Sequence, residues 1–257
     1  MSPAPLPLSV AIIAQNEELR LPECLASCSF ADEIVVVDSG STDRTVAIAQ
    51  EAGARVFVEP WLGFGRQKQL AIDRCANDWV LVVDADERVP PETAAEIRAA
   101  MLANAGAHAA FALPRRNIFL NRWIRHAGWW PDPVVRLIDR RRCAMSPDPV
   151  HEGIVAQGPV GRLAHPLVHL ATRDLGHSLA KLNRYSTIGA QELQAKGRRV
   201  TYAAALGRGL WAFLYNYLFR LGFLDGGEGF VIAVTDGANK LFKYAKAKAL
   251  QDNPPPP

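Results

Sequence analysis

The stretch Val80-Leu81-Val82-Val83-Asp84-Ala85-Asp86 joins four branched aliphatic residues to two acids one residue apart. A short apolar run closed by polar residues is typical of a strand buried on both faces of a sheet. Similar runs occupy residues 8–14, 34–37 and 56–58, and patterns typical of helices occupy residues 19–27, 42–52, 66–75 and 91–102. This alternation predicts an α/β fold, Rossmann-like, with a mostly parallel sheet and helices on both faces.

The polar residues after each strand indicate where a ligand would bind. In a parallel sheet the binding crevice lies beyond the carboxyl ends of the strands. Those ends carry Gln15-Asn16-Glu17, Asp38-Ser39, Glu59 and Asp84-Ala85-Asp86. Acidic residues therefore collect along one edge of the predicted sheet.

Asp84 and Asp86 are candidate ligands for a hard divalent cation such as Mg²⁺ or Mn²⁺. Such a cation takes few protein carboxylates and shares its remaining positions with water and substrate phosphates. The alternative is that Asp86 caps the helix predicted after it.

Asp38 ends the second predicted strand and suits hydrogen bonding to a base or a ribose. The residues after it, Ser41, Thr42 and Asp43, can cap the next helix. The sequence has neither a G-x-G-x-x-G after its first strand nor a P-loop, which argues against a nicotinamide-dependent oxidoreductase and a P-loop phosphate site.

Length and composition favour one elaborated globular fold. The 257 residues are 49% hydrophobic and 21% charged, which excludes global disorder. Four scattered cysteines do not suit a secreted disulfide scaffold, and no export signal precedes the first strand, so a cytoplasmic protein is expected. The predicted organisation is a disordered tail at 1–7, an α/β domain at 8–177, a helical region at 178–251 and a second tail at 252–257.

The C-terminal region is basic and aromatic. Residues 178–257 hold 11 Lys and Arg against 5 Asp and Glu, and six aromatic residues lie between Trp211 and Phe223. One amphipathic helix over 206–224 would place Arg208, Asn216 and Arg220 on the same side. Its apolar part of about 22 Å is too short for a bilayer core of roughly 30 Å. Binding at an anionic membrane surface is expected, helped by nearby lysines, and packing on protein is the alternative.

Other polar residues carry weaker signals. His165, His169 and His177 lack a spacing that requires a metal, so structural roles are expected for them. A basic run at Arg136 and 140–142 predicts a solvated face, with contact to acceptor phosphates as the alternative. Nucleic acid is not an expected partner, and the oligomeric state is left open.

Several motifs together resemble one known family. They are Leu8-Ser9-Val10-Ala11-Ile12-Ile13-Ala14-Gln15-Asn16-Glu17, Val37-Asp38-Ser39-Gly40-Ser41-Thr42-Asp43, Gly63-Phe64-Gly65-Arg66-Gln67-Lys68, Asp84-Ala85-Asp86, Gly128-Trp129-Trp130-Pro131-Asp132, Val150-His151-Glu152 and Gly222-Phe223-Leu224-Asp225-Gly226-Gly227-Glu228-Gly229-Phe230. The chain resembles the inverting GT-A glycosyltransferases of family 2, and within them the small enzymes that glucosylate the lipopolysaccharide inner core.

The resemblance implies a UDP-sugar donor and a GT-A fold with a donor half at 8–110 and an acceptor half at 111–177. It implies that Asp38 binds the uracil and that Asp84 and Asp86 lie at the ribose and metal, with Asp86 the better ligand. It further implies that Lys68 or Arg66 supports the diphosphate or the base. The residues expected beside the nucleotide are Gln15, Asn16 and Glu17.

The resemblance also implies an in-line displacement with inversion, which needs a carboxylate base near the acceptor hydroxyl. Glu152 is the preferred base and Asp132 is the second candidate, although Asp132 could equally belong to a rigid turn. His151 is a candidate metal or phosphate contact. The candidate acceptor-binding residues are His126, Trp129 and Trp130.

By the same resemblance, the expected reaction moves a hexose, glucose in the first instance, to a heptose of a lipid-linked saccharide at the inner face of the bacterial inner membrane. Two alternatives are kept. One is transfer of a sugar to a polyprenyl phosphate, and the other is a non-catalytic module that binds a nucleotide sugar or a membrane.

Overall fold

The computed structural model describes residues 6–104, 106–146, 153–172 and 174–253. The chain divides into two compact units. The first unit runs to Arg116 and resumes over Asp132–His169. The second unit contains Asn117–Pro131 and the chain from Leu170 onward.

A seven-stranded sheet forms the centre of the first unit. Its strands are β1 (Leu8–Ala14), β2 (Glu33–Asp38), β3 (Arg55–Val58), β4 (Trp79–Asp84), β6 (Ala110–Leu113), β9 (Val134–Asp139) and β12 (Val160–Arg162), in the order β12-β6-β9-β4-β1-β2-β3. β4, β1, β2 and β3 are parallel, as are β12 and β6, whereas β9 is antiparallel to both of its neighbours. The expected α/β class and mostly parallel sheet are confirmed.

Short strands complete the β-structure. They are β5 (Glu87–Arg88), β7 (Arg115–Phe119), β8 (Arg122–Trp123), β10 (Cys143–Met145), β11 (Ile154–Ala156) and β13 (Leu167–Leu170). β5 and β13 pair antiparallel, with His169 opposite Glu87. This pairing brings the residues that follow β4 beside a strand more than 80 positions later in the chain.

Two apolar clusters cover the two faces of the sheet, because alternate residues of each strand point to opposite sides. In β1, Leu8, Val10 and Ile12 join one cluster and Ala11 joins the other. The first cluster includes residues of α1 (Leu21–Ser27), α2 (Thr45–Glu51) and α4 (Pro91–Ala103), and the second includes residues of α3 (Phe64–Arg74). Burial on both faces explains why the strands are continuous apolar runs rather than alternating ones.

The helix starts show how the loop residues are used. α2 begins at Thr45 rather than Thr42, and Asp43 Oδ1 accepts a hydrogen bond from the Thr45 amide at 2.9 Å. α4 begins after Pro90, with no side-chain cap. The interpretation of Asp86 as a helix cap is therefore wrong, and its carboxylate is engaged elsewhere.

The second unit contains the β7–β8 hairpin and three long helices, α5 (Leu175–Ala195), α6 (Tyr202–Leu214) and α7 (Gly226–Asp252). α6 and α7 approach closely at two glycines, since a Cβ at Gly209 would lie 3.0 Å from the Gly237 carbonyl oxygen. Ile232 of α7 packs in one core cluster with Phe119, Ile124 and Ala127.

The single helix expected over 206–224 is wrong. α6 ends at Leu214, a π-helical turn covers Tyr215–Phe219, and Leu221 has a left-handed φ of 58° before a short 3₁₀ turn at Gly222–Asp225. Arg208, Asn216 and Arg220 therefore do not share one face of a regular helix. Within the described ranges, no helix is both long and apolar enough to cross a membrane.

Candidate active site

The carboxyl end of β4 places Asp84 between two cations. Its Oδ1 lies 2.6 Å from Lys68 Nζ and its Oδ2 lies 2.5 Å from Arg136 Nη2. Burial by itself raises the pKa of Asp84, but the charges of Arg136 and Lys68 outweigh burial and hold this pKa well below its ordinary value. Asp84 is therefore an ionised carboxylate with each oxygen already paired.

Arg136 and Glu87 form the buried base of this arrangement. Arg136 is 6% exposed and Glu87 is 0% exposed, and Arg136 Nη2 lies 2.8 Å from Glu87 Oε1. The other Glu87 oxygen accepts a hydrogen bond from the Asp84 amide at 3.0 Å. Arg136 thus positions the end of β4, and its assignment to a solvated basic face is wrong.

The rest of that basic run is also committed to contacts within the first unit. Arg140 Nη1 donates to the Cys75 carbonyl oxygen at 2.5 Å, and Arg141 Nη2 lies 2.8 Å from Asp139 Oδ2. The run therefore does not form a single phosphate-binding surface.

Arg115 connects the second candidate base to the same network. Its Nη2 lies 2.7 Å from Asp132 Oδ2, and its Nη1 lies 3.8 Å from Glu87 Oε1. Asp132 has a φ of 42° and follows a cis peptide bond between Trp130 and Pro131. Charges of alternating sign thus run from Asp132 to Lys68 through Arg115, Glu87, Arg136 and Asp84.

Asp86 differs from Asp84 because its ion-pair contacts to the described residues are longer. Arg20 Nη1 and His169 Nε2 each lie 3.5 Å from its Oδ2, and its side chain is 28% exposed. Burial raises the pKa of Asp86, but hydrogen bonding to His169 and the positive charge of Arg20 outweigh burial, so the pKa of Asp86 lies below its usual value. Asp86 is therefore an ionised and partly accessible carboxylate.

His169 lies at the site, although its spacing from the other histidines in the sequence did not indicate a functional role. It reaches Asp86 because β13 pairs with β5, which directly follows Asp86. Arg115 and Arg136 were missed for the same reason, since pairing between distant strands and not local sequence brings them to the site. Arg20, directly before α1, and Glu87, directly after Asp86, were also missed.

The loops after β1 and β2 are joined by side-chain hydrogen bonds. Asp38, 1% exposed, accepts from the amides of Gly40 at 2.9 Å and Ser41 at 2.8 Å, and from the Ser41 hydroxyl. Asn16, with a φ of 54°, accepts from the Thr42 amide at 2.9 Å. Asp38 therefore first shapes its own loop, and its role toward uracil stays a prediction.

Gln15 and Glu17 tie the same two loops together. Gln15 Nε2 donates to the Ser39 carbonyl oxygen at 3.0 Å, and the Glu17 amide donates to Thr45 Oγ1 at 2.8 Å. The predicted nucleotide-binding residues of β1 and β2 are thus neighbours at the carboxyl ends of adjacent parallel strands.

α3 supplies the cation opposite Asp84. Its start at Phe64 follows Gly63, whose φ of 92° suits glycine. Lys68 faces Asp84, whereas Arg66 is exposed on the first turn. Of the two candidate cations, Lys68 is the one that the structure brings to the acidic edge.

The candidate acceptor residues His126, Trp129 and Trp130 lie in the second unit. His126 Nδ1 lies 3.1 Å from Asp225 Oδ1, and the Trp129 ring packs on Phe119 with centroids 5.9 Å apart. His151 and Glu152, the predicted metal contact and the preferred base, lie outside the described residues.

The chain matches the family model described as "Glycosyl transferase family 2" over residues 9–153, more than half of its length. The chain belongs to this family. The matched region of this glycosyltransferase contains Asp38, Lys68, Asp84, Asp86 and Asp132. The resemblance seen in the sequence is confirmed, and the protein is an enzyme of the glycosyltransferase class.

Curated relatives cover nearly the whole chain. The "Lipopolysaccharide core biosynthesis glycosyltransferase LpsC" of Rhizobium meliloti is 34% identical over 94% of this chain and 92% of that protein. An "Uncharacterized glycosyltransferase" of Rickettsia felis is 28% identical over 94% of this chain and 89% of that protein. The similarity therefore extends through the C-terminal helices.

Solved structures match a smaller part of this glycosyltransferase. Glucosyl-3-phosphoglycerate synthase of Mycobacterium tuberculosis, solved with Mn²⁺, UDP-glucose and phosphoglyceric acid, is 27% identical with a TM-score of 0.38. That match covers 45% of each chain.

No group of three or more His, Cys, Asp or Glu side chains in the described part of this glycosyltransferase is arranged to hold a metal ion. Mg²⁺ does not require such a group, because it is commonly held by one or two carboxylates together with substrate phosphates. Asp86 satisfies that requirement better than Asp84, whose two oxygens are paired with Arg136 and Lys68.

Proposed function

We propose that this family 2 glycosyltransferase moves a hexose, glucose in the first instance, from a UDP-sugar to a heptose of a lipopolysaccharide-core acceptor with inversion. The observation that carries the proposal is the pair of unlike carboxylates after β4. Both carboxylates are ionised and similarly exposed, but Asp84 is paired with Lys68 at 2.6 Å and Arg136 at 2.5 Å, whereas Arg20 and His169 lie 3.5 Å from Asp86. The 34% identity to a lipopolysaccharide core biosynthesis enzyme supports the acceptor class.

The residues present fit a divalent cation, Mg²⁺ or Mn²⁺. Asp86 would hold it with one carboxylate, and His169 is a nearby imidazole that could join it. When bound, the cation neutralises charge on the departing diphosphate. Asp84, with both oxygens paired, orients Lys68 rather than binding the ion.

In the proposed reaction the bond between the anomeric carbon and the UDP oxygen breaks as the acceptor oxygen forms the new bond on the opposite face. A carboxylate takes the proton of the acceptor hydroxyl. Glu152 is the proposed base and Asp132, held by Arg115, is the second candidate. Gln15, Asn16, Glu17 and Asp38 are proposed to bind the nucleotide at the ends of β1 and β2.

The donor site can be tested by calorimetric titration of UDP and UDP-glucose with and without Mn²⁺. Asp86→Asn should abolish the metal-dependent part of UDP binding, because it removes the charge of the proposed ligand. Asp73→Asn is the control, since Asp73 is an exposed residue of α3. Absence of UDP binding by the unmodified protein in both conditions would refute the proposal.

We further propose that the second unit docks on the anionic inner face of the membrane, where a lipid-linked acceptor is found. Leu206, Leu210, Trp211 and Phe219 form an exposed apolar patch, with Phe219 66% exposed and the rings of Trp211 and Phe219 5.8 Å apart. Aromatic and aliphatic groups of this kind enter the headgroup region of a bilayer.

The lysines expected to attract lipid contribute less than the sequence predicts. Lys246 Nζ contacts Asn183 and Ser186 oxygens at 2.8 Å, Lys243 lies 3.8 Å from Glu192, and Lys248 pairs with Asp252. Docking is therefore proposed to depend mainly on the apolar patch.

Sedimentation with vesicles of phosphatidylethanolamine and phosphatidylglycerol tests the docking. Leu210→Ser should reduce the bound fraction, because Leu210 is 56% exposed within the patch. Leu102→Ser is the matched control, a 45% exposed helical leucine of the first unit. Equal losses for both variants, or no vesicle binding by the unmodified protein, would contradict membrane docking.

A further inference from the structure

We propose that residues 122–130 form a subsite for an oxyanion, a phosphate or a carboxylate, carried by the saccharide acceptor. The proposal rests on the proposed function, because it specifies the chemical class of the acceptor. It depends only on residues of the second unit, and its central member is Arg125.

The backbone of this segment is held in one conformation. The Ala127 amide donates to the Arg220 carbonyl oxygen at 2.8 Å, and Asn117 Nδ2 donates to the Trp129 carbonyl oxygen at 2.9 Å. Ile124 and Ala127 are buried against Ile232. Side chains on this segment are therefore presented by a fixed frame, which lowers the entropic cost of binding.

Two indole rings form an aromatic corner on that frame. The rings of Trp123 and Trp130 meet edge to face with centroids 5.2 Å apart. Both side chains are partly exposed, so apolar ring surface is available to a ligand. Flat aromatic surface of this kind suits packing against the C–H face of a sugar ring.

Arg125 places an unneutralised positive charge on this corner. Its guanidinium carbon lies 4.1 Å from the centre of the Trp123 ring, and the residue is exposed. No carboxylate in the described part of the chain lies within ion-pair distance of the Arg125 guanidinium, whereas the guanidinium of the neighbouring Arg122 lies 3.6 Å from Glu228. A guanidinium stacked on an aromatic face keeps its N–H groups for a carboxylate or phosphate.

His126 supplies a polar contact of defined direction. Buried Asp225 accepts from the His126 amide at 2.8 Å and the Arg125 amide at 3.2 Å, and its Oδ1 lies 3.1 Å from His126 Nδ1. Because a carboxylate accepts, this contact places a proton on Nδ1 and leaves Nε2 as the ring nitrogen for a hydrogen bond to a sugar hydroxyl.

Together these features allow the subsite to bind a charged acceptor more tightly than a neutral one. The indole corner and His126 Nε2 can bind any hexose, whereas Arg125 gains a charge-assisted hydrogen bond only from an oxyanion. Arg125 is thus inferred to determine specificity.

Ligand-observed NMR titration of the full chain, without UDP or metal, tests this inference with mannose, mannose 6-phosphate and glucuronate as probes. The unmodified protein should bind at least one anionic sugar about tenfold more tightly than mannose. Arg125→Met should remove that preference and keep mannose binding. Arg199→Met is the control, because Arg199 is an exposed arginine of the same unit, and it should keep the preference.

Preference for mannose 6-phosphate alone identifies a phosphate, and preference for both anions identifies a general oxyanion subsite. Equal binding of all three sugars, or an unchanged preference in Arg125→Met, would overturn the inference. UDP titration with Mn²⁺ on the same samples separates the two proposals. If the protein binds UDP but shows no preference for anionic sugars, only the subsite proposal is refuted. If it prefers anionic sugars but does not bind UDP, only the donor proposal is refuted.

Discussion

Replacing Arg136 by methionine should destabilise the first unit by about 3 kcal/mol at pH 8. Breaking a buried ion pair by removing one partner costs roughly 3–5 kcal/mol. Asp84 keeps Lys68 at 2.6 Å, so most of the cost comes from Glu87, which is fully buried and left with Arg115 at 3.8 Å. Because Asp84 keeps one cation, Lys68, the expected loss of stability lies at the lower end of that range.

Native-state hydrogen exchange of the β4 amides measures this loss within the first unit. A change of about 3 kcal/mol accelerates exchange through global opening by roughly 150-fold. The effect has a defined pH dependence, because Arg136 helps to hold the pKa of Asp84 below its unfolded value. That stabilisation is complete above the unfolded pKa of about 3.9 and is lost as the pH falls through the folded pKa.

Two variants distinguish charge from packing. Arg136→Met combined with Glu87→Gln should recover much of the loss, because the amide needs no cation. Arg44→Met, which removes an ion pair with Glu51 whose two side chains are 69% and 64% exposed, should leave β4 exchange nearly unchanged. The reasoning is refuted if Arg136→Met changes β4 exchange no more than Arg44→Met does.

Three further predictions concern single contacts. Gly229→Ala should accelerate hydrogen exchange at the start of α7, because its Cβ would lie 1.9 Å from the Gly222 carbonyl oxygen, a backbone atom. Gly227→Ala is the control, because its Cβ would meet nothing within 4 Å; equal effects would contradict the steric argument. Lys246→Met should lower the free energy of opening of α5, measured by hydrogen exchange, by about 1–3 kcal/mol, because it removes the hydrogen bonds from Lys246 to Asn183 and Ser186. Lys196→Met is the control and should not lower this free energy, because Lys196 is exposed. Asp32→Asn should lower the urea midpoint more at pH 7 than at pH 3, because the Leu8 amide at 2.8 Å and Arg98 lower the pKa of Asp32 and that stabilisation declines as the pH falls through the folded pKa; an equal loss at both pH values would contradict this.

The central sheet could be predicted because its signal is local. The strand expected at 8–14 is found as β1 with the same limits, since burial on both faces makes the whole strand apolar. The placement of Asp38, Asp84 and Asp86 at strand ends follows from the same pattern.

The partners of those acids could not be predicted, because they depend on pairing between distant strands. Arg136 reaches Asp84 since β9 runs antiparallel beside β4, and His169 reaches Asp86 since β13 pairs with β5. Nothing in the local sequence separates buried Arg136 from exposed Arg141 or from half-buried Arg140 and Arg142.

The C-terminal helices show a different limit. The break after α6 depends on Leu221, a residue type that rarely adopts positive φ, so the sequence favoured one continuous helix. α7 was predicted only as part of a helical region at 178–251 and not as a separate helix, because its four glycines weaken the helical signal, although Gly237 lies at the close approach of α6.

The path of the chain restricts how this enzyme can recombine with its relatives. Residues 117–131 share a core with Ile232, yet residues 132–169 between them belong to the other unit. A single crossover anywhere in 132–169 would therefore combine a hairpin from one parent with helices from another. A chimera meant to exchange the second unit has to inherit both stretches from the same parent.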